Sequence, residues 1–399
     1  MSDDDTTPAD TTPESDAAGA APAAGGVWAG GEDHAEQSRP AAARLDVEQA
    51  RTGLTAWARA HRPGAEVTDV HLAEGNGMSS ETLLFDVQPA DGPAEHLVAR
   101  VAPRTESMPV FPHYDMALQA AVMSLVGATT TLPVPEIVDV HTEPDLLGMP
   151  FVVMRRLPGD ALPDVPPYTF EGWLHEASEE QRAALRDRTV DVVAQVHAVP
   201  VDDEVARIFG ESSPPSADEA LDAMLRRERE YYDWARQGAP RSPLIEAGLD
   251  WLEAHRPAES GAAVLAWGDS RPANLLWSGD CEVTAVLDWE MTALAPRGSD
   301  VGWMVFVHDF FQFIAEMFEM TGLPDLFRAD DVLARYRERT GADVPNLEYY
   351  RVYGAVRHAI IMYRIALRSV FHGGAEMPEN PDQLVLHAPL LARMIGRDA

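Results

Sequence analysis

Short apolar runs broken by glycine-bearing turns fill the front of this chain, and long helical periodicities fill the back. That division constrains the fold more than any single motif. Residues 66–72, 81–87 and 96–101 read as strands, with Gly75-Asn76-Gly77 between the first two and Asp91-Gly92-Pro93 between the next two. Such connections join neighbours in a small antiparallel sheet. Residues 46–61 carry apolar side chains at helical spacing (Ala50, Leu54, Trp57, Ala58), with Asp46 as a plausible N-cap. A helix is expected over 114–126 and strands near 137–140 and over 151–154. Beyond Pro158-Gly159 the pattern predicts helices over 189–197, 218–236, 243–255, 300–320, 331–340 and 348–371. Short strands over 263–266, 275–277 and 283–287 interrupt them. The expectation is an α+β chain of two lobes, a sheet-based N-lobe over 45–156 and a helical C-lobe over 157–399, hinged near 154–159.

Charge narrows the function. The 65 Asp and Glu residues outnumber 31 basic ones, for a net charge of −34, and every basic side chain among the 31 is arginine. Phosphate backbones need clustered cations, so nucleic acid is not an expected partner, and neither is an anionic membrane. A single cysteine, Cys281, excludes an intrachain disulfide and a cysteine-based zinc cluster. The opening residues lack a basic segment followed by an apolar one, so a cytoplasmic protein without a signal peptide is expected. Residues 1–44 are rich in Asp, Thr, Pro, Ala and Gly, and are expected to form a disordered acidic tail. Oligomeric state is left open.

The chemistry gathers around Trp267-Gly268-Asp269-Ser270-Arg271-Pro272-Ala273-Asn274 and Asp288-Trp289-Glu290. Asp269 and Asn274 stand five apart, and Asp288 follows fourteen residues later, a kinase-type phosphotransfer layout. A carboxylate on a rigid loop can align an attacking hydroxyl and take its proton, a catalytic role open to Asp269. Asn274 and Asp288 offer one neutral and one charged oxygen, the ligand type magnesium prefers. Glu290 reads equally as a second carboxylate at the metal or a solvated loop residue. Arg100, on the third strand, could reach nucleotide phosphates. Gly75, Gly77 and Ser79 form a turn whose backbone could approach phosphates, or an ordinary hairpin turn. Met154, at the expected hinge, is a candidate nucleotide contact. Asp300 opens a helix and is expected to cap it or to bond to the backbone of the Asp269 loop. The histidines show no metal-ligand spacing.

These residues resemble the aminoglycoside phosphotransferase family, a branch of the protein-kinase-like fold, over about residues 60–372. The family's catalytic loop reads His-Gly-Asp-x-x-x-x-Asn. Gly268, Asp269 and Asn274 match it here, while Trp267 replaces the histidine. Val196-His197-Ala198-Val199 resembles the family's Leu-His segment. The resemblance implies ATP or GTP with Mg2+, and a small-molecule hydroxyl as acceptor. It also implies a lysine–glutamate pair, whose positions here hold Arg100 and Gln119. Kinases of hydroxyacyl-CoA thioesters resemble the pattern too, and Arg226, Arg227 and Arg229 could contribute to CoA recognition. A non-catalytic nucleotide-binding protein is the third alternative.

Overall fold

The computed structural model describes residues 45–73 and 79–397. The expected tail, Gly75 and Gly77 lie outside the described residues. Helix α1 (Val47–His61) starts at Asp46, whose carboxylate accepts from the backbone N–H of Glu48 and Gln49. It is followed by β1 (Glu66–Leu72), β2 (Glu81–Gln88), β3 (Glu95–Val101), α2 (Met116–Thr129), β4 (Ile137–His141) and β5 (Phe151–Arg155). The five strands form one antiparallel sheet in the order β1-β2-β3-β5-β4.

Alternation decides what each face of that sheet meets. Leu83, Phe85, Leu97, Ala99, Phe151 and Val153 bury against Leu54 and Trp57 of α1. Burying each large apolar side chain contributes roughly 1.5–3 kcal/mol. Arg100 falls on the other parity. Val98 pairs with Met154 and Arg100 with Val152, so these four share the opposite face.

The rest is mainly helical. It comprises β6 (Asp160–Ala161), α3 (Trp173–Glu176), α4 (Glu179–Val196), α5 (Asp203–Ile208), α6 (Ala217–Ala235) and α7 (Pro243–Ala254). Then come β7 (Val264–Ala266), β8 (Leu275–Trp277), β9 (Val283–Val286) and β10 (Ala293–Ala295). Helices α8 (Gly298–Met317), α9 (Ala329–Thr340), α10 (Leu347–Phe371) and α11 (Ala388–Met394) close the chain. Helix α4 begins ten residues before its expected start at 189, at a capping box between Ser178 and Gln181. Its early turns are charged, which hides their periodicity. Helices α8 and α10 run through the large core, where Phe306, Val356, Ile360 and Tyr363 are fully buried. No helix among the described residues is long and apolar enough to cross a membrane.

Candidate active site

The loop carrying Asp269 is held by its backbone. Strand β7 pairs antiparallel with β10, and the chain then turns at Gly268, whose φ is +94°. A Cβ there would lie 2.1 Å from the Met291 carbonyl oxygen. Gly268→Ala therefore meets both a backbone clash and an unfavourable φ. It should destabilise the protein by at least about 2–3 kcal/mol, read as a lower urea midpoint.

Asp300, in the first turn of α8 and 1% exposed, grips the same loop. Its carboxylate accepts from Trp267 N at 2.7 Å and Gly268 N at 2.8 Å. Its Oδ2 also pairs with His197 Nε2 at 3.0 Å, and His197 Nδ1 meets the Tyr336 hydroxyl at 2.7 Å. Ser270 Oγ donates to the Asp300 carbonyl at 2.7 Å. The expected bond from Asp300 to the loop backbone is present. Trp267, at the position of the family's histidine, is buried and donates Nε1–H to the Leu287 carbonyl at 2.8 Å.

Asp269 has both carboxylate oxygens engaged. Trp303 Nε1 donates to Oδ1 at 2.7 Å, and Arg271 Nε donates to Oδ2 at 3.1 Å. Arg271 is itself tied to Asp164 at 2.5 Å. Burial opposes the charge of Arg271, but the facing Asp164 and Asp269 outweigh it and hold the cation firmly protonated.

Asn274 Nδ2 donates to the Asp269 carbonyl at 3.0 Å, which commits its amide nitrogen and leaves Oδ1 as an acceptor. Its own carbonyl accepts from Leu287 N at 2.9 Å, continuing the Leu275–Val286 register of β8 and β9. The chain of bonds therefore brings Asp269, Asn274 and the start of the Asp288 turn together. Asp288 sits at φ +57°, in the left-handed region. Asp tolerates that region better than most residues, and such outliers gather at functional sites.

From β3, Arg100 Nη2 donates to Asp288 Oδ1 at 2.8 Å and to Glu290 Oε2 at 3.0 Å. Burial works against its charge, but the two carboxylates prevail and raise its proton affinity. The anions facing Arg100 thus come from the loop after β9, while Gln119 is buried on α2. Ser79 hydrogen-bonds Glu290. Met154 is buried on the same sheet face as Arg100, 7% exposed.

Glu290 is a buried acid, not a solvated loop residue, its side chain 8% exposed. Burial, then the neighbouring Asp288 charge, pushes its pKa from 4.5 up to about 7 against the opposing pull of Arg100. The folded state therefore binds more protons than the unfolded state between these values. The contribution of Glu290 to stability should therefore fall as pH rises through this range. Glu290→Gln should remove that contribution, so wild type should lose stability relative to the variant between pH 5 and pH 8 in urea unfolding of the metal-free protein.

Do these residues suit magnesium and a nucleotide? The buried Arg100 Nε has no partner among the described residues, a donor that a ligand oxygen would satisfy. Asn274 Oδ1 and the Asp288 carboxylate are hard oxygen donors. Among the described residues no three His, Cys, Asp or Glu side chains are grouped to hold a metal. A cation here would thus draw on few protein ligands and on oxygens of a second molecule, which is how magnesium is usually held beside phosphates. The residues fit.

Sequence reasoning missed three supports: Trp303 on Asp269, Arg271 bridging Asp269 to Asp164, and Ser79 on Glu290. Trp303 lies 34 residues from Asp269, and no local spacing signals that contact.

Known proteins resemble this chain in sequence or in fold. "Probable acyl-CoA dehydrogenase IBR3" of Arabidopsis thaliana is 26% identical over 300 residues, 72% of this chain and 35% of that protein. "Acyl-CoA dehydrogenase family member 10" of Mus musculus is 25% identical over 236 residues, 57% of this chain and 19% of that protein. The chain spans about a third or less of the length of these relatives. A "putative aminoglycoside phosphotransferase" from Ralstonia eutropha JMP134 superposes with a TM-score of 0.60 at 22% identity, covering 88% of this chain and 97% of that one. Aminoglycoside phosphotransferase APH(4)-Ia, in a complex with ADP and hygromycin B, gives 0.54 at 16% identity, covering 86% and 98%. The two structural likenesses show the bilobal protein-kinase-like fold. Residues 76–338 match the family model APH, "Phosphotransferase enzyme family", and the chain belongs to that family.

Proposed function

We propose that the protein is an ATP- and magnesium-dependent small-molecule kinase that phosphorylates a hydroxyl group. The observation that supports this reading is the bond chain from the Asp269 carbonyl through Asn274 to Leu287, next to Asp288, whose carboxylate pairs with Arg100. Neighbouring structures with bound ADP or AMP-PNP support a nucleotide. In this reading the nucleotide lies between residues 45–156 and 157–399. Arg100 and Ser79 face its phosphates, with Met154 beside it.

Magnesium–ATP, when bound, supplies the phosphoryl group and part of the charge neutralisation. Asn274 and Asp288 would hold the metal. Asp269 aligns the acceptor hydroxyl and takes its proton as the oxygen–phosphorus bond forms and the β–γ bridging bond breaks, releasing ADP. Arg100 would exchange a carboxylate contact for a phosphate one, its planar fork suiting either.

For the acceptor, an amino sugar such as the hygromycin B of a neighbouring structure is one class. A hydroxyacyl-CoA is the second, favoured by the names of the curated relatives. Within the arginine stripe on α6, Arg229 is already bonded to Asp250 and Glu253. The test is magnesium-dependent ADP release with hygromycin B, amino alcohols and a hydroxyacyl-CoA in turn. ADP release stimulated by one class identifies the acceptor. Failure to bind either ATP or GTP, with or without magnesium, would exclude a kinase.

A further inference from the structure

We propose that Trp303 is a positioning residue that sets the orientation of the Asp269 carboxylate. The proposal rests on the reading of Asp269 as the group that accepts the proton. Trp303 stands on α8 three residues after Asp300, so both lie on one side of the helix. It is 4% exposed, and its indole N–H reaches Asp269 Oδ1 at 2.7 Å. Phe306 and His358 pack near the ring, with centroids 6.4 and 6.1 Å away. The core thus fixes the direction of the N–H.

Helix α8 therefore holds the loop twice. Asp300 holds its backbone, and Trp303 holds the side chain that the backbone presents. The second hold is needed because the terminal torsion of an aspartate is broad and only weakly self-orienting. Anchoring Oδ1 turns Oδ2 to a defined direction. Arg271 meets that oxygen, itself fixed by Asp164. The indole is a neutral donor, so it orients the carboxylate without adding a second cation beside the base. Phenylalanine would preserve most of the ring packing and remove the donor.

The experiment compares Trp303→Phe, Asp269→Asn and the double variant, using magnesium–ATP with hygromycin B, or basal ADP formation if hygromycin B is not an acceptor. Trp303→Phe should lower kcat by about 10- to 100-fold, with KM for magnesium–ATP nearly unchanged. In the Asp269→Asn background it should lower kcat no further, because the two residues act as one unit. Wild-type kcat in Trp303→Phe beside an inactive Asp269→Asn overturns the proposal alone. An equal loss in both backgrounds also overturns it, since that marks a merely structural role. Wild-type turnover by Asp269→Asn instead sinks the base assignment itself. If Trp303→Phe does not fold, 3-benzothienylalanine at 303 keeps the shape and lacks the N–H, and the same outcomes apply. Independently, one indole resonance of 15N-tryptophan-labelled protein should shift in Asp269→Asn and disappear in the 303 variant. An Asp269→Asn spectrum in which the Trp303 resonance is unmoved would overturn the contact.

Discussion

Asp269→Asn should lower the rate of phosphoryl transfer by about 10²–10⁴-fold while leaving nucleotide affinity nearly intact. The substitution keeps the size of the side chain, and an amide oxygen can still accept from Trp303 Nε1. It removes the negative charge and the basic oxygen that would take the acceptor proton. Binding should persist because the nucleotide contacts proposed for Arg100, Asn274 and Asp288 lie elsewhere. The Asn274 bond goes to the Asp269 carbonyl, which the substitution does not alter. Steady-state ADP release and ATP-analogue titration on one sample check both halves. A variant that turns over at the wild-type rate shows that some other group accepts the proton. Equal losses of affinity and rate show that Asp269 serves the fold of the loop.

Asp300→Ala should cost about 3–5 kcal/mol of stability and take activity with it. The carboxylate is buried and accepts from two successive backbone N–H groups while facing His197. Removing it leaves those donors in a dry site with nothing to replace them, and each such orphan costs about 1–3 kcal/mol. The loop would lose the hold that presents Asp269. Asp300→Asn should fall between wild type and alanine, because it turns one acceptor oxygen into an NH2 that faces a donor. Urea unfolding of the three proteins gives the order directly. An alanine variant as stable as wild type would mean that the loop is held by its turn alone. Gly268 makes that outcome a real alternative, and the Gly268→Ala variant separates the two.

The outline of the molecule was legible because short-range patterns carried it. Turn residues between apolar runs marked the antiparallel sheet, while the placement of Arg100 opposite Leu97 and Ala99 came from the strand register. Helix α4 was read short because its first turns are charged, although its capping box was present in the sequence. The two-residue β6, the three-residue β10 and the short α3, α5 and α11 were missed, since a few residues carry no period.

Within the site, Asp269, Asn274 and Asp288 could be singled out because one loop and one hairpin hold them at fixed separations. The sequence alone singled out which groups are candidates to act on a phosphate, because local spacing and residue chemistry suffice to propose them. Only the tertiary structure decided how they are poised. Trp303 on Asp269 and Arg100 between Asp288 and Glu290 join residues 34 to 190 positions apart. Such contacts arise when whole helices and sheets pack, and packing is a property of the assembled surfaces that no neighbouring residues encode.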